Sequence, residues 1–182
     1  MITNSYISIS RQYFISSLIL CKEIISSANN HFVITANASE IRSTSIKFTD
    51  SDIVLPLLFN FYHGTESFLK GLLATKNCTI ENHKLSDLFH HAKVNFPEII
   101  ELGVFNRYLE TNNTDLDLIK NLFALDNRSI DAYYEVLRYP ENKNKSVAFN
   151  QILLMYKGIK GLPFYNIFES DITVIIDLVD KI

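Results

Sequence analysis

The chain has no tryptophan, and only five glycines, four prolines, two cysteines and two methionines among its 182 residues. Glycine scarcity goes with the absence of any glycine-rich phosphate-binding loop. HExxH, EF-hand and GxSxG patterns are missing as well. The two cysteines, Cys21 and Cys78, form no CxxC pair. That argues against a structural zinc site and reads as two reduced thiols. No run approaches the ~20 apolar residues needed to span a bilayer. Phe14–Cys21 is apolar but broken by Ser16 and Ser17. Residues 18–21 superficially resemble a lipoprotein cleavage site, yet Leu20 is large where a small residue belongs, and no Lys or Arg precedes Arg11. The expectation is a cytoplasmic protein with no membrane association, no metal and no cofactor. Charge of one sign is also scarce: 17 basic residues face 20 acidic ones, for a net charge of −3. A weakly acidic chain does not neutralise phosphates by bulk charge, which leaves a local basic cleft or a cationic partner open.

Hydrophobic residues make up 47% of the chain, enough for a core without disulfides. Helical spacing dominates. Ile7, Phe14, Leu18, Cys21 and Ile25 predict one face of a helix over residues 5–28. Over residues 30–50 the helical period fades among Thr, Ser and Asn. Ser51 reads as the N-cap of the strongest helix, running to Ala74, with Asp52 and Pro56 near its start. Further helices are expected over 83–94, 98–110, 114–125, 129–137 and 164–180, with breaks at Pro97, Thr111–Asn113 and Pro140. Residues 146–163 fit either a helix or an irregular connection. No repeat or linker divides the chain, so residues 1–182 read as one domain, with 1–50 as an N-terminal extension to a bundle over 51–182.

One residue breaks the pattern. Leu58, Tyr62, Leu69 and Leu73 form an apolar ridge, and Glu66 falls on it. A carboxylate on a core-facing stripe is costly unless it is paired. His63 and Lys70 flank it at three and four residues, the latter in the favourable Glu-to-Lys order. One reading is an acid–base or phosphate-contacting cluster. The other is a buried glutamate clamped by an arginine from another helix, with Arg138 the preferred clamp and Lys70 reaching outward. Arg138, between Leu137 and Tyr139, could hold a carboxylate or a phosphate. His83 could be a general base, or could pack between helices on a backbone carbonyl. His90 and His91 diverge on a helix and read as solvent-facing.

The segment Glu66-x-x-Leu69-Lys70-x-x-Leu73, followed by His83-Lys84-Leu85-x-x-Leu88-Phe89, resembles the core hairpin of HEPN-type domains (higher eukaryotes and prokaryotes nucleotide-binding). Leu137-Arg138-Tyr139-Pro140-Glu141 is similar to a segment of bacterial HEPN-like proteins. The resemblance covers roughly residues 51–141. It implies an all-α, antiparallel, up-and-down bundle, often a homodimer, of the kind found in toxin–antitoxin and phage-defence systems. It also implies RNA or a cognate protein as partner. Active members are metal-independent RNases with an Arg and a His separated by four to six residues. Here no histidine follows Arg11, Arg42, Arg107, Arg128 or Arg138 in that window. The expected function is therefore RNA or partner binding without the standard RNase chemistry. The alternatives are an RNase using a rearranged set, Glu66, His83 and Arg138, with His63, Lys70 and Tyr139 as binding residues, or a purely structural dimerisation module.

Overall fold

The computed structural model describes residues 2–30, 48–78, 81–110, 129–138, 154–156 and 158–182. The described residues form helices and connections with no strand. The helices are α1 (Ile2–Ser26), α2 (Asp50–Thr75), α3 (Leu85–Asn95), α4 (Asn106–Leu109), α5 (Ile130–Arg138) and α6 (Leu162–Val179). Short 3₁₀ turns at Ile100–Phe105 and Ile159–Gly161 lead into α4 and α6. The continuous helix expected over 98–110 is thus mostly 3₁₀, in a stretch that contains Gly103, a poor helix former. The helix expected over 114–125 lies outside the described residues. None of the described helices is long and apolar enough to cross a membrane.

Helix α2 is the central element. It starts two residues earlier than Ser51 suggests, with Thr49 as N-cap. Asp52 reaches back to accept the Thr49 backbone N–H at 3.0 Å, a capping-box contact that satisfies one backbone donor at the helix start. Phe61, fully buried, packs against the rings of Phe14 of α1, Tyr108 of α4 and Phe168 of α6 at 4.8–6.0 Å between centroids. Burying one such side chain contributes roughly 1.5–3 kcal/mol.

The first helix is no appendage. It lies antiparallel on α2, with Ile7 at Gly71, Tyr13 at Gly64 and Ser17 at Leu57. Its buried seam is Ser10, Phe14, Ser17, Cys21 and Ile24 rather than the more apolar set the spacing suggests; Ile7, Leu18 and Ile25 sit at its margin. Small residues on both helices allow the close approach. A Cβ on Gly64 would lie 3.1 Å from Tyr13 Cβ and 3.2 Å from the Phe14 ring. We expect Gly64→Leu to lower stability by about 2–3 kcal/mol through overpacking. Urea denaturation checks this, and an unchanged midpoint would contradict the close packing.

A buried polar knot joins three segments at the start of α2. Asp50 Oδ2 accepts from Asn29 Nδ2 at 2.9 Å, the Tyr156 backbone N–H at 2.7 Å and the Tyr165 hydroxyl at 3.2 Å. The Asp50 N–H donates to Asn29 Oδ1 at 2.8 Å. Asn29 sits in the left-handed region (φ 49°), which asparagine tolerates better than most residues. The positive end of α2 also favours a carboxylate here.

Helix α6 is antiparallel to α1, as Arg11–Asp180 and Cys21–Tyr165 contacts show. Its start brings Pro163 into the first turn, where proline is tolerated. Phe168, Ile172, Ile175 and Val179 are buried as their spacing requires, whereas Ile182 is exposed. A second polar contact ties α4 to α6: Arg107 and the Tyr108 hydroxyl both donate to Asp171 Oδ2, each at 2.5 Å. Helix α3 runs along α2 in the same sense, with His83 at Glu66 and Asn95 beside Cys78. The chain therefore returns to the middle of α2 at His83, before α3 begins. It does not form the antiparallel hairpin the resemblance implies.

Candidate functional site

Four elements meet at Glu66. Helix α2 places His63, Glu66 and Lys70 on one edge by three- and four-residue spacing. The segment before α3 brings His83 over that edge. Helix α5 supplies Tyr134, and α1 supplies Tyr13 beside the His63 ring at 4.7 Å between centroids.

The His83 segment is held by several bonds. Asn82 Oδ1 accepts the Lys84 N–H at 3.1 Å, and Asn82 Nδ2 donates to Asp87 Oδ2 at 3.1 Å. Lys84 precedes α3 without a capping side-chain bond. Asp131 of α5 supplies the missing acceptor instead, taking the Ser86 N–H at 3.2 Å and the Ser86 hydroxyl at 2.6 Å. One of the orphan donors that any helix start leaves is thus satisfied from a neighbouring helix.

Glu66 is buried, with 5% of its side chain exposed. Its Oε1 accepts from Lys70 Nζ at 2.9 Å and from His83 Nδ1 at 2.6 Å. Its Oε2 accepts from the Tyr134 hydroxyl at 3.0 Å. Burial pushes the Glu66 pKa up, but the bonds from Lys70, His83 and Tyr134 outweigh it and hold the carboxyl below its ordinary value. The site therefore contains an ionised carboxylate. Burial, with the charge of Glu66 second, raises the Tyr134 pKa, so the phenol keeps its proton. His63 stacks on Phe59 at 5.5 Å between ring centroids. Burial lowers its pKa, Arg138, Lys70 and His83 act in the same direction, and Glu66 opposes them.

Both shifts make acid destabilising. Where His63 stays neutral below its ordinary 6.5, the unfolded chain binds the extra proton, so stability falls as pH drops from about 6.5. Glu66 adds a further loss as pH falls from its unfolded 4.5 through the lower folded value. We expect the melting temperature to decline in these two stages. His63→Gln should flatten the first and keep the second, measured by thermal denaturation across pH. A first stage of unchanged slope in His63→Gln would assign it to another group.

The structure brings together Glu66, His63, Lys70 and His83 as the sequence suggests. It differs on how the carboxylate is paired. Arg138 is not the clamp: its guanidinium lies 5.1 Å from the centroid of the Tyr134 ring, on an exposed side chain. Lys70 turns inward to Glu66 and does not reach out to solvent, with 12% of its side chain exposed. His83 bonds a carboxylate, not a backbone carbonyl, and keeps 66% of its side chain exposed. Tyr139 lies outside the described residues. Tyr134 is the residue that sequence reasoning missed. A tyrosine on an amphipathic helix carries no mark that separates a core ring from a hydroxyl aimed at a carboxylate. His90 and His91 are exposed. Among the described residues no three His, Cys, Asp or Glu side chains are grouped to hold a metal ion. Cys21 and Cys78 are free, and burial pushes the Cys21 thiol up to about 12. No family model, curated protein or solved structure matches this chain.

Proposed function

We propose that this chain is a HEPN-like component of a prokaryotic toxin or phage-defence system acting on RNA, and that Glu66 with His83 provides a metal-independent acid–base site where the family's Arg–His pair is missing. One observation carries the chemical part: His83 is largely exposed, yet its Nδ1 sits 2.6 Å from a buried carboxylate. A carboxylate oxygen only accepts, so Nδ1 bears the hydrogen and Nε2 is left as a lone pair toward solvent. Such a nitrogen can take a proton from a hydroxyl of RNA. Lys70 and Arg138 supply positive charge nearby for a phosphate. The HEPN-like assignment rests on the sequence pattern alone, at Glu66–Leu73, His83–Phe89 and Leu137–Glu141; the parallel course of α3 along α2 does not add to it. The homodimer and the cognate protein partner that the pattern implies belong to the same proposal; the mass of the purified protein in solution tests the first.

The test is digestion of RNA with a chelator present. The wild type is expected to cleave, and His83→Ala to lower the rate by about 10²–10⁴-fold, the usual contribution of a general acid or base. Cleavage that survives His83→Ala unaltered discards the site.

A second reading has its own support. Glu66 and Lys70 form a nearly dry ion pair, at 5% and 12% side-chain exposure, as a packing clamp would. In that case His83→Ala changes neither RNA binding nor any rate at equal folded concentration.

A further inference from the structure

Each oxygen of the Glu66 carboxylate leads to a different imidazole. Oε1 lies 2.6 Å from His83 Nδ1. Oε2 lies 3.0 Å from the Tyr134 hydroxyl, and that hydroxyl lies 2.6 Å from His63 Nδ1. The direct distance from His63 Nδ1 to Oε2 is 3.8 Å, beyond hydrogen-bond length. His63 therefore reaches the carboxylate through the phenol.

Counting protons settles the donors. Tyr134 has one O–H hydrogen and two neighbours that could accept it. The ionised carboxylate is the stronger acceptor, because bonds to a charged partner are roughly twice as strong as neutral ones. The short contact on the other side is then filled by a hydrogen on His63 Nδ1. At His83 the same count applies, since Nδ1 faces an oxygen that can only accept. Lys70 Nζ, 3.2 Å from His83 Nδ1, donates to that oxygen too and not to the ring. Both imidazoles are thereby held in the Nδ1–H form. Neither Nε2 has a hydrogen-bond partner among the described residues.

We propose that His63 is a second acid–base group of this site, held in its Nδ1–H form by Tyr134 as positioning residue, so that one carboxylate sets the tautomers of two imidazoles. For its substrate this rests on the RNA reading above. Two imidazoles can take one proton and deliver another, whereas one must do both in turn. Their surroundings differ. His63 faces Glu66 and Lys70 on its own helix, Tyr134 and Arg138 on α5, His83 before α3, and Tyr13 on α1. It is half-buried and stays neutral around neutral pH, which suits a proton acceptor; His83 accepts in its neutral form and donates once its Nε2 carries a proton.

Long-range proton–nitrogen NMR of protein labelled with ¹⁵N-histidine, at mildly alkaline pH, tests the arrangement directly. The wild type should show hydrogen on Nδ1 of both His63 and His83. Tyr134→Phe, confirmed as folded by its melting curve, should move His63 toward the Nε2–H form that histidine favours in water, and leave His83 unchanged. An Nε2–H His63 in the wild type, or a folded Tyr134→Phe with His63 unaltered, overturns the proposal. Kinetics supply the second arm. In chelator-treated RNA digestion His63→Gln should lower kcat about 10²-fold with KM unchanged, and abolish the acid limb of the pH profile. A His63→Gln protein with full kcat also overturns it. If the tautomers are as expected but the wild type cleaves no RNA, the RNA reading falls and the paired imidazoles stand.

Discussion

Glu66→Gln is expected to lose RNA cleavage by about 10²–10⁴-fold, measured at equal concentrations of folded protein. The amide keeps the shape of the side chain but not its charge. Its NH2 group cannot accept from Lys70, His83 or Tyr134, so one of those donors loses its acceptor. Lys70, nearly buried, is left without its counter-charge. Breaking a buried ion pair from one side typically costs about 3–5 kcal/mol. The retained amide oxygen softens this, and we expect about 2–4 kcal/mol in urea denaturation. A double variant, Glu66→Met with Lys70→Met, separates the two roles. Replacing both charges by apolar groups of similar volume is often neutral or stabilising, and Tyr134 keeps its bond to His63. Stability should therefore return while cleavage stays lost. If cleavage returns with stability, the carboxylate serves packing alone.

The largest loss of stability is expected at Asp50, far from that chemistry. Asp50→Ala removes the acceptor from three donors at once: the Asn29 amide, the Tyr156 N–H and the Tyr165 hydroxyl. The Tyr165 hydroxyl is then left facing an apolar side chain in a buried site. Each bond to a charged group contributes about 1.5–3 kcal/mol, and such losses are not additive. About 4 kcal/mol is the expected sum, which for a domain of this size lowers the melting temperature by roughly 10 °C. Asp50→Asn, which keeps one acceptor oxygen, should lose less. An Asp50→Ala protein within about 1 kcal/mol of the wild type would mean that water or neighbouring groups replace the carboxylate.

How much of this was legible depends on how local the signal is. The Glu66 anomaly could be read because helix geometry alone puts it on the ridge of Tyr62 and Leu69. Helices α2, α3, α5 and α6 could be read from apolar spacing, to within about two residues at the ends. The seam of α1 could not, since Ser10 and Ser17 are buried for their size and not for their hydrophobicity. Their hydroxyls lie near backbone carbonyls: Ile7 at 2.7 Å for Ser10, and Tyr13 and Leu57 at 3.1 and 3.2 Å for Ser17. The Asp50 knot was invisible for another reason. Asn29 lies more than a hundred residues from Tyr156 and Tyr165, and the three share no pattern. A proline stop and apolar neighbours favour Arg138 as the clamp, but Lys70, on the same helix as Glu66, reaches the carboxylate by local geometry.

The bond between Asp131 and the Ser86 amide has a use in the laboratory. That amide hydrogen is shielded only while α5 rests on the start of α3. Its rate of exchange with heavy water therefore reports how often α5 lifts away. Tyr134 leaves with α5, so the same clock should tick in step with any excursion that disconnects His63 from Glu66.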